Sequence, residues 1–240
     1  MYSRPQKLAA ELFGTFAVVL VSSGAVCADQ FLKTTNATGI SIGPLGIALA
    51  YGLTFGAFVS ATGRISGGHL NPAVTIGYWA TRRLNLFDML TYCAAQLAGA
   101  CVAAYLLRSI VPEETWRAVA LGTPDLTSGL TRATGMLIEG LLTMLLVFAV
   151  FATAQGQTED PSGTSPAVAG VAVGLLITAA ALFGGPFTGA AMNPARVLGP
   201  ALASHHWTNH GVYWVGPLAG GAVGAILYSS IFQRHPPSQS

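Results

Sequence analysis

The sequence predicts an all-α membrane protein: six transmembrane helices and two re-entrant half-helices, arranged as an inverted repeat. Three observations carry this prediction. Of 240 residues, 52% are hydrophobic and only 8% charged, with a mean hydropathy of +0.57. A soluble domain carries about a quarter charged residues, so this chain cannot cover a water-facing surface. Six apolar runs reach the ~20 residues that span a bilayer: Leu8–Ala28, Ile42–Ala61, Phe87–Val111, Ala133–Ala154, Pro166–Gly184 and Val212–Phe232. Finally, Asn-Pro-Ala occurs twice, at 71–73 and 193–195, each time opening a shorter apolar stretch.

The first run outlasts a signal-peptide core and has no cleavage site, so it reads as a retained span. Continuous apolar runs, as opposed to alternating ten-residue segments, disfavour a strand barrel. In the short stretches Pro72–Ala80 and Pro194–Ala203, Asn71 and Asn193 suit the N-cap and the prolines suit the first helical position. A helix over Pro72–Ala80 is only ~14 Å long, half of a ~30 Å hydrocarbon core. Both stretches are half-helices.

Glu11 and Glu139 stand 128 residues apart, Asn71 and Asn193 122 apart, and "AQLAGA" (95–100) and "GPLAGG" (216–221) 121 apart. The same features in the same order describe a duplication. The whole chain, 1–240, reads as a single transmembrane channel domain, with 8–111 as the first half and 133–232 as the second. Three spans per half place the second copy upside down, so the half-helices enter from opposite faces and meet near the midplane.

Lys and Arg set the orientation. Arg4, Lys7, Arg64, Arg82, Arg83 and Arg234 fall on one side, against Lys33, Arg108, Arg117 and Arg132. The excess places both termini in the cytoplasm of a multi-pass protein of the cell (plasma or inner) membrane. The loop 112–132 is then outside, as is the glycosylation sequon at Asn36, and 155–166 is a cytoplasmic connector. A net charge of +2 gives no argument for nucleic acid. Three cysteines without a CxxC pattern, Cys27, Cys93 and Cys101, read as small core residues.

Re-entrant backbone survives at membrane depth only inside protein or along a water-filled cavity. The small residues before each half-helix suit an extended backbone whose carbonyls face a narrow passage; Gly67, Gly68, His69, Gly189 and Ala191 are its expected lining. The two positive helix ends oppose cations there. Each asparagine is expected to cap its helix with the oxygen and turn its NH₂ toward the passage. Such a path suits small neutral hydrogen-bonding molecules. No cofactor or metal ion is implied. An enzyme finds no support, since there is no phosphate loop, nucleophile elbow or metal-ligand cluster in the spans.

On "ISGGHLNPAVT", "TGAAMNPAR", the "AELFGT" start and "YWVGPLAG" in the last span, the whole chain resembles the major intrinsic proteins, the aquaporins. The resemblance implies a right-handed six-span bundle, four pores in a homotetramer in the lipid bilayer, and passive transport. It makes Arg196 one side of the outer constriction. The repeat agrees, because its first-half partner is the uncharged Val74. Counting from the motifs places Tyr51, Ala181 and Ala190 at the other filter positions. Strict water channels of the family usually have Phe and His where this chain has Tyr51 and Ala181, which leaves a wider, more apolar gap. Val197, Ala201 and Tyr213-Trp214 nevertheless match the water type. Water is the expected substrate, with ammonia, urea, glycerol and hydrogen peroxide as candidate extras.

Glu11 and Glu139 are open to two readings: a proton relay, or carboxylates that hold the re-entrant loops through their amides, the role the family implies. Gln96 reads as support for a half-helix. His69 either fixes its loop or gates by pH. His205, His206 and His210 read as solvated loop residues, with a metal site as the alternative. Two other classes remain: an ion-coupled secondary transporter, and a structural membrane protein with a closed pore.

Overall fold

The computed structural model describes residues 2–35, 40–154 and 165–232. The Asn36 sequon, Arg234 and most of the 155–166 connector lie outside them. Nine α-helices occur among the described residues: α1 Arg4–Thr35, α2 Gly43–Ser66, α3 Pro72–Ala80, α4 Leu86–Ile110, α5 Glu113–Ala118, α6 Arg132–Ala154, α7 Pro166–Thr188, α8 Pro194–Ser204 and α9 Val212–Phe232. Six of them are long and apolar enough to cross a membrane.

Several spans exceed their apolar runs. Helix α1 is 32 residues long, ~48 Å at 1.5 Å per residue, because polar residues continue the helix past both edges of the hydrocarbon. Helix α7 runs on through Gly184-Gly185-Pro186 to Thr188, where the apolar pattern alone ends at Gly184. The predicted loop 112–132 contains α5 and a 3₁₀ turn, Ala120–Gly122. Pro112, as α5's N-cap, and two glutamates in its first turn suit that helix start.

Helix α1 packs on α2 and α4, α6 on α7 and α9, and α2 on α7. The half-helices cross over: α3 packs chiefly on α9, and α8 on α4. Lipid is as apolar as leucine, so these seams rely on close backbone approach and small residues. Gly52 and Gly56 meet Gly174 and Gly170 between α2 and α7, and Gly216 and Gly220 meet Gly140 between α6 and α9. Gly224 sits against the Met144 carbonyl, one turn further along α9. Leu53, Phe87, Val102, Val171 and Phe183 point outward and remain exposed, as a lipid-facing surface requires.

A side chain at the α6–α9 seam would meet backbone carbonyls that cannot move aside. Overpacking costs about 1–3 kcal/mol in a close-packed core. Gly220→Val should therefore lower the unfolding midpoint in detergent by several degrees, while Gly185→Ala, with open space around its Cβ position, should leave it unchanged.

Candidate functional site

The two re-entrant loops share one backbone design. Helix α2 ends at Gly67 (φ 94°), and Gly68 (φ 62°) and Leu70 (φ 52°) are also left-handed; α7 ends at Gly189 (φ 79°), with Ala190 (φ 45°) and Met192 (φ 52°) following suit. The approach segments are thus turned, not extended as the small residues suggested. A run of left-handed residues gathers successive N–H groups into a concave donor site for an anion.

Each donor site holds a buried carboxylate. Glu11 Oε1 accepts from Ser66 Oγ (2.6 Å) and the His69 amide (3.0 Å), and Oε2 from the Leu70 amide (2.7 Å) and Gln96 Nε2 (2.7 Å). Glu139 Oε1 accepts from Thr188 Oγ1 (2.6 Å) and the Ala191 amide (2.9 Å), and Oε2 from the Met192 amide (2.7 Å). The same hydroxyls take the Gly68 and Ala190 amides. Behind each loop a tyrosine donates to its first carbonyl, Tyr92 to Ser66 (3.0 Å) and Tyr213 to Thr188 (2.8 Å). Sequence reading assigned no loop-holding role to Ser66/Thr188 or Tyr92/Tyr213. The repeat offsets of 122 and 121 residues would have found both pairs.

The asparagines cap as expected: Asn71 Oδ1 accepts from the Ala73 amide (2.8 Å), and Asn193 Oδ1 from the amides of Ala195 (3.0 Å) and Arg196 (3.3 Å). Their NH₂ groups do more than face a passage. Asn71 donates to the Met192 carbonyl (2.8 Å) and Asn193 to the Leu70 carbonyl (3.0 Å), so each loop is bonded to the other. One proton of each amide is used this way; an NH₂ has two. Pro72, Ala73, Pro194 and Ala195 follow as buried first-turn residues. Among the described residues, no protein donor reaches the carbonyls of Gly67, Gly68, His69 or Gly189, whereas that of Ala191 accepts from the Tyr51 hydroxyl (2.7 Å).

The first loop carries an extra polar set. Gln96 Nε2 donates to Thr75 Oγ1 (2.9 Å), which also contacts His69 Nδ1 (3.1 Å). The His69 ring stacks on Tyr78 at 4.3 Å and meets the edge of Tyr92 at 5.3 Å. The His69 ring is thus packed among its own loop, α3 and α4, and Gln96 bonds both Glu11 and Thr75 of α3.

Arg196, in the first turn of α8, is 4% exposed. Its Nη1 donates to the Gly122 carbonyl (3.0 Å), and its guanidinium lies 5.9 Å from the Tyr51 ring centre. A cavity of about 420 Å³ opens here, lined by Tyr51, Ala181, Gly189 and Arg196 together with the segment Gly122–Asp125. Three of the four expected filter residues therefore share one wall system. Ala190 is the exception: it is fully buried beside Gly184, because its left-handed backbone turns its amide to Thr188, and Gly189 lines the cavity in its stead. Of the three outer histidines, His206 pairs with Asp125 (2.9 Å) and His210 accepts from Trp214 Nε1 (3.0 Å).

The tyrosine hydroxyls behind the loops should each contribute about 1 kcal/mol, the usual net value of a buried hydrogen bond. Tyr92→Phe and Tyr213→Phe should lower stability by that amount in denaturant titrations of the micelle-bound protein. Tyr105→Phe, at an exposed site, should change nothing.

Comparison with known proteins gives the same architecture. A model of the family described as major intrinsic protein matches residues 2–228. The chain is 41% identical to Aquaporin TIP4-4 of Zea mays over 224 residues, covering 93% of this chain and 85% of that protein. It is 35% identical to Aquaporin-1 of Homo sapiens over 222 residues, covering 92% and 80%. Among solved structures, the aquaglyceroporin from Plasmodium falciparum superposes with a TM-score of 0.81 at 22% identity, covering 95% of this chain and 97% of the other. This chain is a member of the major intrinsic protein family, an integral multi-pass membrane protein with the aquaporin fold.

Proposed function

We propose that the chain is a passive channel for water whose passage runs from the Arg196 cavity, past the joined asparagines, along the two re-entrant loops. The observation that carries this reading is the pair of capped half-helices bonded loop to loop at membrane depth, with a buried arginine above them. Unpaired carbonyls at Gly67, Gly68, His69 and Gly189 supply acceptors along one wall, and the second amide protons of Asn71 and Asn193 supply donors in the middle. Two half-helix N-termini and Arg196 make the centre and the mouth electropositive, which opposes hydrated cations and protons. An ion-coupled transporter would need a free acid at depth, and Glu11 and Glu139 are both occupied by loop donors.

Tyr51, Ala181, Gly189 and Arg196 form the filter in this account. The Tyr51 hydroxyl is turned to Ala191, and Ala181 has no polar group. Among these four residues Arg196 is therefore the one strong side-chain donor, a filter permissive for ammonia, urea, glycerol or hydrogen peroxide beside water. The halves 8–111 and 133–232 act as one channel domain, both termini face the cytoplasm of the cell membrane, and four copies assemble side by side through their apolar outer faces, each with its own passage.

Stopped-flow light scattering on proteoliposomes tests the reading. Osmotic water flux should exceed that of empty vesicles at least tenfold, with measurable urea and glycerol uptake. Ala181→His should abolish the solute uptake and spare water. Water flux no faster than in empty vesicles would leave the closed-pore structural role.

A further inference from the structure

One wall of the Arg196 mouth, Gly122–Asp125, comes from the segment between α5 and α6. Among the described residues, Gly122's carbonyl is the only hydrogen-bond acceptor for the Arg196 guanidinium, whose buried Nε has no partner. The position of the filter cation thus depends on how firmly this segment is held. The buried Leu121 anchors its start, and the rest of its fastening is polar. Asp125 Oδ1 accepts from the Leu126 amide (2.7 Å) and Asn209 Nδ2 (2.9 Å), and Oδ2 faces His206 Nε2 at 2.9 Å. Thr123 Oγ1 meets Ser204 Oγ at 3.3 Å. His206 and Asn209 lie just beyond the end of α8, the helix whose first turn carries Arg196. One segment therefore clasps both ends of α8.

We propose that Asp125 and His206 are positioning residues of the filter: their hydrogen-bonded pair helps hold the Gly122 carbonyl on Arg196, and releasing it widens the mouth to solutes larger than water. The proposal rests on the channel reading above. Its direction follows from the geometry, because the clasp supplies both a wall of the cavity and the acceptor that fixes the guanidinium. Lose it, and both constraints relax together.

Asp125 and His206 side chains are 32% and 31% exposed, so the pair is open to the solution. Burial opposes the Asp125 charge, but hydrogen bonds from Asn209, His206 and Leu126 outweigh it and hold the carboxyl below the usual carboxylate range. Asp125 is thus held as the common acceptor for His206 and Asn209, two residues that follow α8.

The test uses full-length protein in proteoliposomes with the same buffer inside and out, and reads the ratio of urea to water permeability. Asp125→Asn should raise that ratio about fivefold over wild type, the order a charge-assisted bond gains over a neutral one. His206→Ala, which leaves Asp125 its other two partners, is a second variant in case the first folds poorly, and should raise the ratio too. His206→Gln, whose amide can still donate to Asp125, should bring it back toward wild type. Arg117→Ala, on the exposed face of α5, should keep the wild-type ratio. A wild-type ratio in Asp125→Asn or His206→Ala overturns the proposal. Wild-type water flux no greater than in empty vesicles would instead remove the channel reading itself.

Discussion

Backbone that leaves helical geometry inside a bilayer must find its hydrogen bonds within the protein, and everything else in this molecule depends on how that is met. Two carboxylates meet it. Glu11 and Glu139 are each buried without exposed surface, an arrangement that is costly unless the charge is fully bonded. Loop amides and one hydroxyl supply those bonds in both halves, and Gln96 adds one more in the first. The dependence is mutual. The carboxylates need the loop donors to remain at depth. The left-handed residues Leu70, Ala190 and Met192, each disfavoured by about 1–2 kcal/mol, persist because Glu11 and Glu139 fix the Leu70 and Met192 amides and the Thr188 hydroxyl fixes that of Ala190.

With the loops fixed, their ends are fixed too. The asparagines can cap and cross-bond only because Leu70 and Met192, the residues the carboxylates hold, present their carbonyls to the opposite amide. Clamp, cap and cross-bond form one connected polar unit across the pseudo-twofold. The departures from symmetry are equally instructive. Thr75, Gln96 and His69 correspond to Val197, Pro217 and Ala191, and Val74 corresponds to Arg196. One half spends its polar groups on bracing its loop; the other places a guanidinium at the mouth and braces it from the Gly122 segment.

How much of this the sequence discloses depends on how local each feature is. Composition, apolar run length and two Asn-Pro-Ala motifs are local, and they fix the helices, the half-helix starts and the class of fold. The carboxylate clamp is half local: the offset between Glu11 and Glu139 marks them as a pair, but which amides they take depends on backbone handedness. Left-handed φ at Ala190 or Met192 leaves no compositional trace, so the loops read as extended. The clasp is wholly non-local. Nothing in "GTPD" or "SHHWTN" announces that Asp125 meets His206 and Asn209 across some 80 residues of chain, or that Gly122 will hold Arg196.

The most direct test of the account is to remove the clamp charge without changing its shape. Water permeability per folded molecule should be measured for Glu11→Gln and Glu139→Gln, with helix content followed by circular dichroism. Each substitution turns an acceptor oxygen into an NH₂ that faces N–H donors, a loss of about 1.5–3 kcal/mol per charged bond. The account predicts retained helix content and at least a tenfold fall in water permeability for both, because the spans pack without the loops but the passage does not form. Permeability within twofold of wild type in either variant would contradict it.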